Sequence, residues 1–209
     1  WRFVMPAPGP SRKEREREQH RQEILSAALE LFAEKGFHNV SMQEIATAAE
    51  FATGTLYNFF PSKEDLFFEL LVSTAEESLG IILPVLDGSE DEREKLSRFI
   101  HQHERIIREH RKALRLYVLE GRGRCLTGPR VEAKKKEIDE RIVSQLGKVI
   151  EAGVSKGLLN DVDPVMAAKC LSNSLESLIL AAVHESQAID VNADLEKLQD
   201  VFFRGLIKP

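Results

Sequence analysis

Cysteine is scarce in this chain: Cys125 and Cys170 are the only two. That excludes a disulfide framework and suits a reduced, cytoplasmic protein. Tyrosine (two) and tryptophan (one) are also rare, whereas phenylalanine reaches eleven. Aromatic bulk is therefore expected in the core rather than on a wet binding surface. Excess positive charge is missing as well. The formal net charge is −5, so the whole molecule does not attract nucleic acid, and any DNA contact must come from a local patch. Trp1–Pro10 holds no apolar stretch of signal-peptide length, and neither repeats nor low-complexity tracts occur. What remains is 209 residues, 43% hydrophobic and 30% charged. This is globular composition for one large domain or two small ones, and it excludes disorder and collagen.

Catalytic signatures are equally absent. The chain contains no GxxxxGK[ST], HExxH, GxSxG or CxxC, so neither an enzymatic reaction nor a cofactor is expected. His101 and Glu104 are i,i+3 neighbours with His103 on another face; two ligands without a third make a poor zinc site. Gly121-Arg122-Gly123-Arg124 offers an anion loop, though an interhelix turn is the plainer reading. Cys125 and Cys170 read as small apolar residues.

Helical periodicity fills the chain, and strand signals are nearly missing. Ile24, Ala28, Leu31 and Phe32 form an apolar stripe that should end at Gly36 in a left-handed C-cap. Ser41-Met42-Gln43-Glu44 is a capping box opening a short helix. A very short segment, Thr53–Phe60, follows and is ended by Pro61. Ser62-Lys63-Glu64-Asp65 starts the next helix, which runs toward Pro84. Further helices are expected from Ser89, over Lys112–Glu120, from Pro129 to Gly157, from Asp163-Pro164 through Val165–Glu185, and over Ala193–Ile207. Val165–Glu185 is apolar on almost every face. Lys169, Asn173 and Glu176 interrupt it, favouring a helix buried in protein over a membrane span. The expectation is an all-α fold of about nine helices.

Residues 41–60 combine a short helix, a tight turn and a second short helix, the arrangement that carries one helix into a DNA major groove. Ala46, Ala49 and Gly54 supply small residues for the helix crossing. From Gly36-Phe37 through Ser41, Ile45-Ala46, Ala49, Gly54-Thr55-Leu56-Tyr57, Phe60, Ser62-Lys63 and Leu66, the sequence resembles the tetracycline-repressor (TetR) family of bacterial transcription regulators. The resemblance implies a flexible segment over 1–18, a helix-turn-helix DNA-binding domain over 19–66, and an effector-binding and dimerisation domain over 67–209. It assigns DNA contacts to Ser41, Gln43, Thr53, Gly54, Thr55, Tyr57, Asn58 and Lys63. Ser41 is also a good N-cap without DNA. Leu56 and Phe60 are expected to be core anchors.

Two departures from the family pattern stand out. Glu50-Phe51 stands in the turn where Gly-Val is usual, at a cost of about 1 kcal/mol for a non-glycine left-handed residue. Phe59 replaces a His or Tyr able to bond a phosphate. Charge is unfavourable too, with seven Lys/Arg against ten Asp/Glu between Ser11 and Leu66. Lys63, a cation in the first turn of a helix, opposes the macrodipole unless an anion lies before it; the resemblance places a phosphate there. Arg12–Arg21 reads as a solvated helix end, or else as a minor-groove arm.

The C-terminal part should hold a mainly apolar pocket for a small hydrophobic or amphipathic effector, with His103, His110, Tyr117, Asn173 and Glu176 as polar or aromatic handles. Leu175, Ile179, Val183, Leu198, Phe202 and Phe203 are expected to form a homodimer interface. Together these features describe a cytoplasmic, ligand-responsive regulator, most simply a repressor, on a near-palindromic double-stranded DNA operator. The alternative is a helical ligand- or partner-binding protein that has lost DNA affinity.

Overall fold

The computed structural model describes residues 11–120, 129–184 and 190–206. The helices are α1 (Arg12–Lys35), α2 (Met42–Ala48), α3 (Thr53–Phe59), α4 (Lys63–Leu86), α5 (Glu92–Glu120), α6 (Pro129–Ser155), α7 (Pro164–His184) and α8 (Val191–Leu206), with a 3-10 turn at Phe37–Asn39. The fold is all-α. Among the described residues there are eight α-helices where about nine were expected, because Lys112–Glu120 is not separate. It continues α5 through a kink at His110 (φ −112°, ψ 17°).

Two compact units emerge, Trp1–Glu69 and Leu70–Pro209, with α4 contributing residues to both. In the first, α1 begins at Arg12 under a capping box from Ser11 and Glu14. Residues 12–18 are thus helical, not part of a flexible segment, and the Arg12–Arg21 run is an exposed helix start. α1 ends before Gly36, whose φ of 79° and ψ of 153° lie outside the left-handed helical well, in a region essentially reserved for glycine. This lets the chain reverse so that Phe37 meets Phe32 and Phe67 at ring separations of 5.3 and 4.9 Å. With Ile24, Ala28, Ile45 and Leu56, these rings form a fully buried core.

In the second unit, α5, α6 and α7 pack together and α8 packs on α5 and α7. Leu96, Phe99, Ile100, Leu146, Ile150, Leu171 and Leu195 sit at its centre. Gly153 of α6 makes room for Leu159: a Cβ there would lie 2.6 Å from the leucine Cδ1. Asn160 then caps the end of α8, its backbone N–H donating to the Leu206 carbonyl at 2.7 Å. Among the described helices, α7 is long and apolar enough to cross a membrane, with a mean hydropathy of 1.2 over 18 residues. It is not buried all round, as its composition suggested. Ala168, Leu171, Leu175, Ala182 and Val183 enter the core, while Met166, Cys170, Ser174, Ser177 and Ala181 lie exposed on one stripe.

Candidate nucleic-acid interface and effector cleft

The helix-turn-helix is assembled by local chemistry. The Ser41 hydroxyl accepts from the Glu44 N–H at 3.2 Å, and the Glu44 carboxylate accepts from the Ser41 N–H at 2.9 Å. The Ser41 N–H, helped by Lys35 at 3.0 Å, holds the Glu44 carboxyl well down, at about 2. Ser41 is therefore already occupied as an N-cap. The turn after α2 places Glu50 at φ 61°, the only positive φ at a non-glycine among the described residues. Its cost is offset nearby. The Phe51 N–H donates to the Ala46 carbonyl at 2.9 Å, and the Phe51 ring meets His20 of α1 edge-on at 5.1 Å.

α3 buries Leu56, and Phe60 follows it into the core, as expected. Gly54, Tyr57 and Asn58 are exposed, and Thr53 and Thr55 are half-exposed. One face of this short helix thus presents five of the sequence-assigned residues to solvent; Gln43 of α2 is exposed too. Gly54 does not sit at the helix crossing, contrary to expectation, because a Cβ built on it would meet no atom within 4 Å.

Lys63 differs most from its sequence reading. Its ammonium needs no anion: Nζ donates to the carbonyls of Phe37 (2.9 Å) and Val40 (2.7 Å) and lies 4.5 Å from the centre of the Phe37 ring. The carbonyls exposed by the turn after α1 act as its counter-charge, leaving one N–H for any further acceptor. Sequence reasoning also missed the cation beside Phe59. Arg17 of α1 lies over that ring at 5.7 Å, and Arg21 over Phe60 at 5.4 Å while pairing with Glu69. Arg17 and Phe59 are far apart in sequence, so no local spacing signals the pair.

The second unit contains an open cleft of about 1150 Å³ between α5, α6 and α7. His103, Asn173 and Glu176 line it, as does Ile179, which was expected at the dimer interface. His110 and Tyr117 are not among its lining residues. Tyr117 is half-buried on α5. His110 sits at the kink, its Nδ1 3.9 Å from Glu77 Oε2 and its Nε2 buried without a partner.

The lining is more charged than an apolar pocket. Phe99, Val143 and Ile179 supply apolar surface, but Lys135, Asp139 and Lys169 border it. Burial opposes the Lys135 charge, yet Glu176 at 2.6 Å more than offsets this and holds its pKa above the ordinary value. Burial pushes the Asp139 carboxyl up. His103 is buried, and burial pulls its pKa down to about 4 despite a bond to the Phe99 carbonyl at 2.9 Å. The ring is neutral at pH 7.

Leu175 and Val183 cannot serve a dimer interface, being 1% and 3% exposed in the core of a single chain. Leu198, Phe202 and Phe203 are half-buried against that core. On α7 and α8 the large apolar side chains left exposed are Val165, Met166 and Val201. Cys170 is exposed rather than apolar filling. Cys125 and the Gly121–Arg124 loop lie outside the described residues. No cluster of three His, Cys, Asp or Glu able to hold a metal occurs among the described residues, and the His101/Glu104 pair stays incomplete.

The model of the bacterial regulatory proteins, tetR family, matches residues 24–70, from mid-α1 into α4. The fatty acid metabolism regulator protein of Bacillus subtilis is 24% identical over 189 residues, 88% of this chain and 94% of that protein. A TetR-family regulator structure from Mesorhizobium loti superposes with TM-score 0.74 at 25% identity, covering 95% of this chain and all of the other. The transcriptional regulator FadR from Bacillus subtilis, solved in complex with stearoyl-CoA, gives TM-score 0.74 at 22% identity, covering 88% and 98%. A family match on the helix-turn-helix unit and likeness along nearly the whole chain make this protein similar to the tetR family of bacterial transcription regulators.

Proposed function

We propose that this DNA-binding regulator is a homodimeric repressor that holds a near-palindromic operator and leaves it when a small amphipathic molecule fills the cleft of the second unit. The carrying observation is α3. Leu56 and Phe60 anchor one side of it, and the opposite side presents Gly54, Tyr57 and Asn58 between Thr53 and Thr55. Threonine hydroxyls and methyls, the Asn58 amide and the Tyr57 hydroxyl can reach base edges or phosphates. The exposed glycine lets the helix backbone approach closely. Arg17, held over Phe59, supplies a cation where the phenyl ring has no donor.

The exposed stripe of α7 supports the dimer. Met166, Cys170, Ser174, Ser177 and Ala181 are small or unbranched, so a second copy can pack closely there. Two-fold symmetry then sets the reading helices one DNA turn apart, roughly 34–36 Å. The effector reading rests on the cleft: apolar surface beside a charged border fits a molecule with an apolar body and a polar end. Stearoyl-CoA, bound by the Bacillus regulator, is of that kind. An effector releases DNA only by binding one arrangement of the two readers better than another. α4 joins the units covalently and is the natural lever.

Selecting bound duplexes from a random pool tests the reading. An inverted repeat with half-sites one turn apart should be enriched, and log affinity should fall linearly with log salt. No enrichment with salt-independent retention would favour the reading that DNA affinity has been lost.

A further inference from the structure

Two residues lining the cleft each have a polar side-chain atom without a partner among the described residues. The first is Nε2 of His103. Nδ1 lies 2.9 Å from the Phe99 carbonyl, which can only accept, so Nδ1 carries the proton. In a neutral ring Nε2 is then an acceptor, and it is the one uncommitted polar atom of a cleft-lining side chain that is 6% exposed. The second is Ser172, whose Oγ is fully buried without a partner. Other helical hydroxyls here bond back to the preceding turn: Ser174 donates to the Cys170 carbonyl and Ser78 to the Thr74 carbonyl, each at 2.8 Å. Ser172 does not. Of the two, the Ser172 oxygen is shut away with its bond unmade, whereas His103 Nε2 is an acceptor left free for a donor in the cleft.

We infer that the effector presents a neutral hydroxyl to His103 Nε2 on an otherwise apolar body. This rests on the effector reading of the cleft and narrows it. A carboxylate at the same place would set lone pairs against the Nε2 lone pair. A pure hydrocarbon or an ether would leave Nε2 unpaired. Only a donor completes the histidine, and the apolar surface of Phe99, Val143 and Ile179 takes the rest.

The test is calorimetric titration of the full chain with three probes of equal chain length: 1-decanol, decyl methyl ether and decanoate. 1-Decanol should bind at least about tenfold tighter than either of the others, the effect of one well-placed buried hydrogen bond. His103→Leu should erase the preference while leaving the ether within about twofold, and His103→Gln, which restores an acceptor, should return part of it. Decanoate binding as tightly as the alcohol, or a preference that survives His103→Leu, overturns the inference. If alcohol and ether bind equally and Val143→Phe blocks both, the hydroxyl is rejected while the effector cleft stands. If none of the three binds, both readings fall.

Discussion

The two units use helices in opposite ways. In the first, the proposed DNA-reading surface is what packing leaves outside. α3 has seven residues, too short to hold its own shape in water, so Leu56 and Phe60 must position everything on its far side. In the second, the proposed effector site is a gap inside. α5, α6 and α7 each have many residues in a common core, and the cleft lies where that packing is incomplete. A reader hung on two anchors should be brittle, and a cleft walled by long, separately anchored helices should tolerate change.

Leu56→Ala breaks that comparison most severely. The side chain is wholly buried, so truncation should cost about 3 kcal/mol in urea unfolding and abolish operator binding. Val143→Ala, at a half-buried wall of the cleft, should cost under about 1.5 kcal/mol. Equal losses would mean that the walls are as finely anchored as the reader.

His103 gives the second unit its own pH signature. Its pKa is pushed down from 6.5 to about 4 by burial, so between those values the unfolded chain binds more protons than the folded one. The histidine's contribution is fully present above pH 6.5 and is lost as pH falls to about 4. The range spans on the order of 3 kcal/mol. Urea midpoints taken from pH 7 to 4 should fall in the wild type and flatten in His103→Leu. An unchanged slope in the variant would place the sensitivity elsewhere.

The same contrast explains what was legible in the sequence. The helix-turn-helix is written in short-range chemistry: Ser41 and Glu44 three residues apart, Gly36 at a reversal, Pro61 after α3. Such signals survive without tertiary context. Lys63 was misread because its partners, the Phe37 and Val40 carbonyls, come from a turn that folding brings back to it. In the second unit α7 shows more apolar residues than one face can take. Sequence alone cannot say that Leu175 and Val183 enter the core while Ser174 and Ala181 stay outside. The charged border was missed for a related reason: Lys135 and Glu176 stand on different helices and meet only in the fold. The helix after Lys112 was separated from α5 because the His110 kink interrupts the helix without ending it.

Gly54→Ala sharpens the comparison through its separation of stability from binding. Open space surrounds the new methyl, and alanine is favoured over glycine in a helix by up to about 1 kcal/mol. Stability should hold or rise. Operator affinity should nevertheless fall about tenfold, or 1.4 kcal/mol, because the proposed interface brings DNA up to the backbone where the methyl would stand. Filter binding alongside urea unfolding checks both halves. Unchanged affinity would remove Gly54 from the interface.

The smallest effect is expected at Glu44. Its carboxyl is exposed and held down to about 2, first by the Ser41 N–H and then by Lys35. Water screens most of what that shift is worth in stability. The sign is still defined: a depressed carboxyl supports the folded state above its ordinary value of 4.5 and loses that support as pH falls toward 2. The loss is local, because protonation weakens the carboxylate's hold on the Ser41 N–H at the start of α2. Amide exchange of the first turn of α2 should therefore quicken as pH drops from 4.5 to 2, beyond the intrinsic change. Glu44→Gln should show the faster exchange already at pH 6 and little further acid response. If the variant and the wild type exchange alike at pH 6, the Ser41 hydroxyl alone caps α2, and the reading helix does not depend on charge at its neighbour's start.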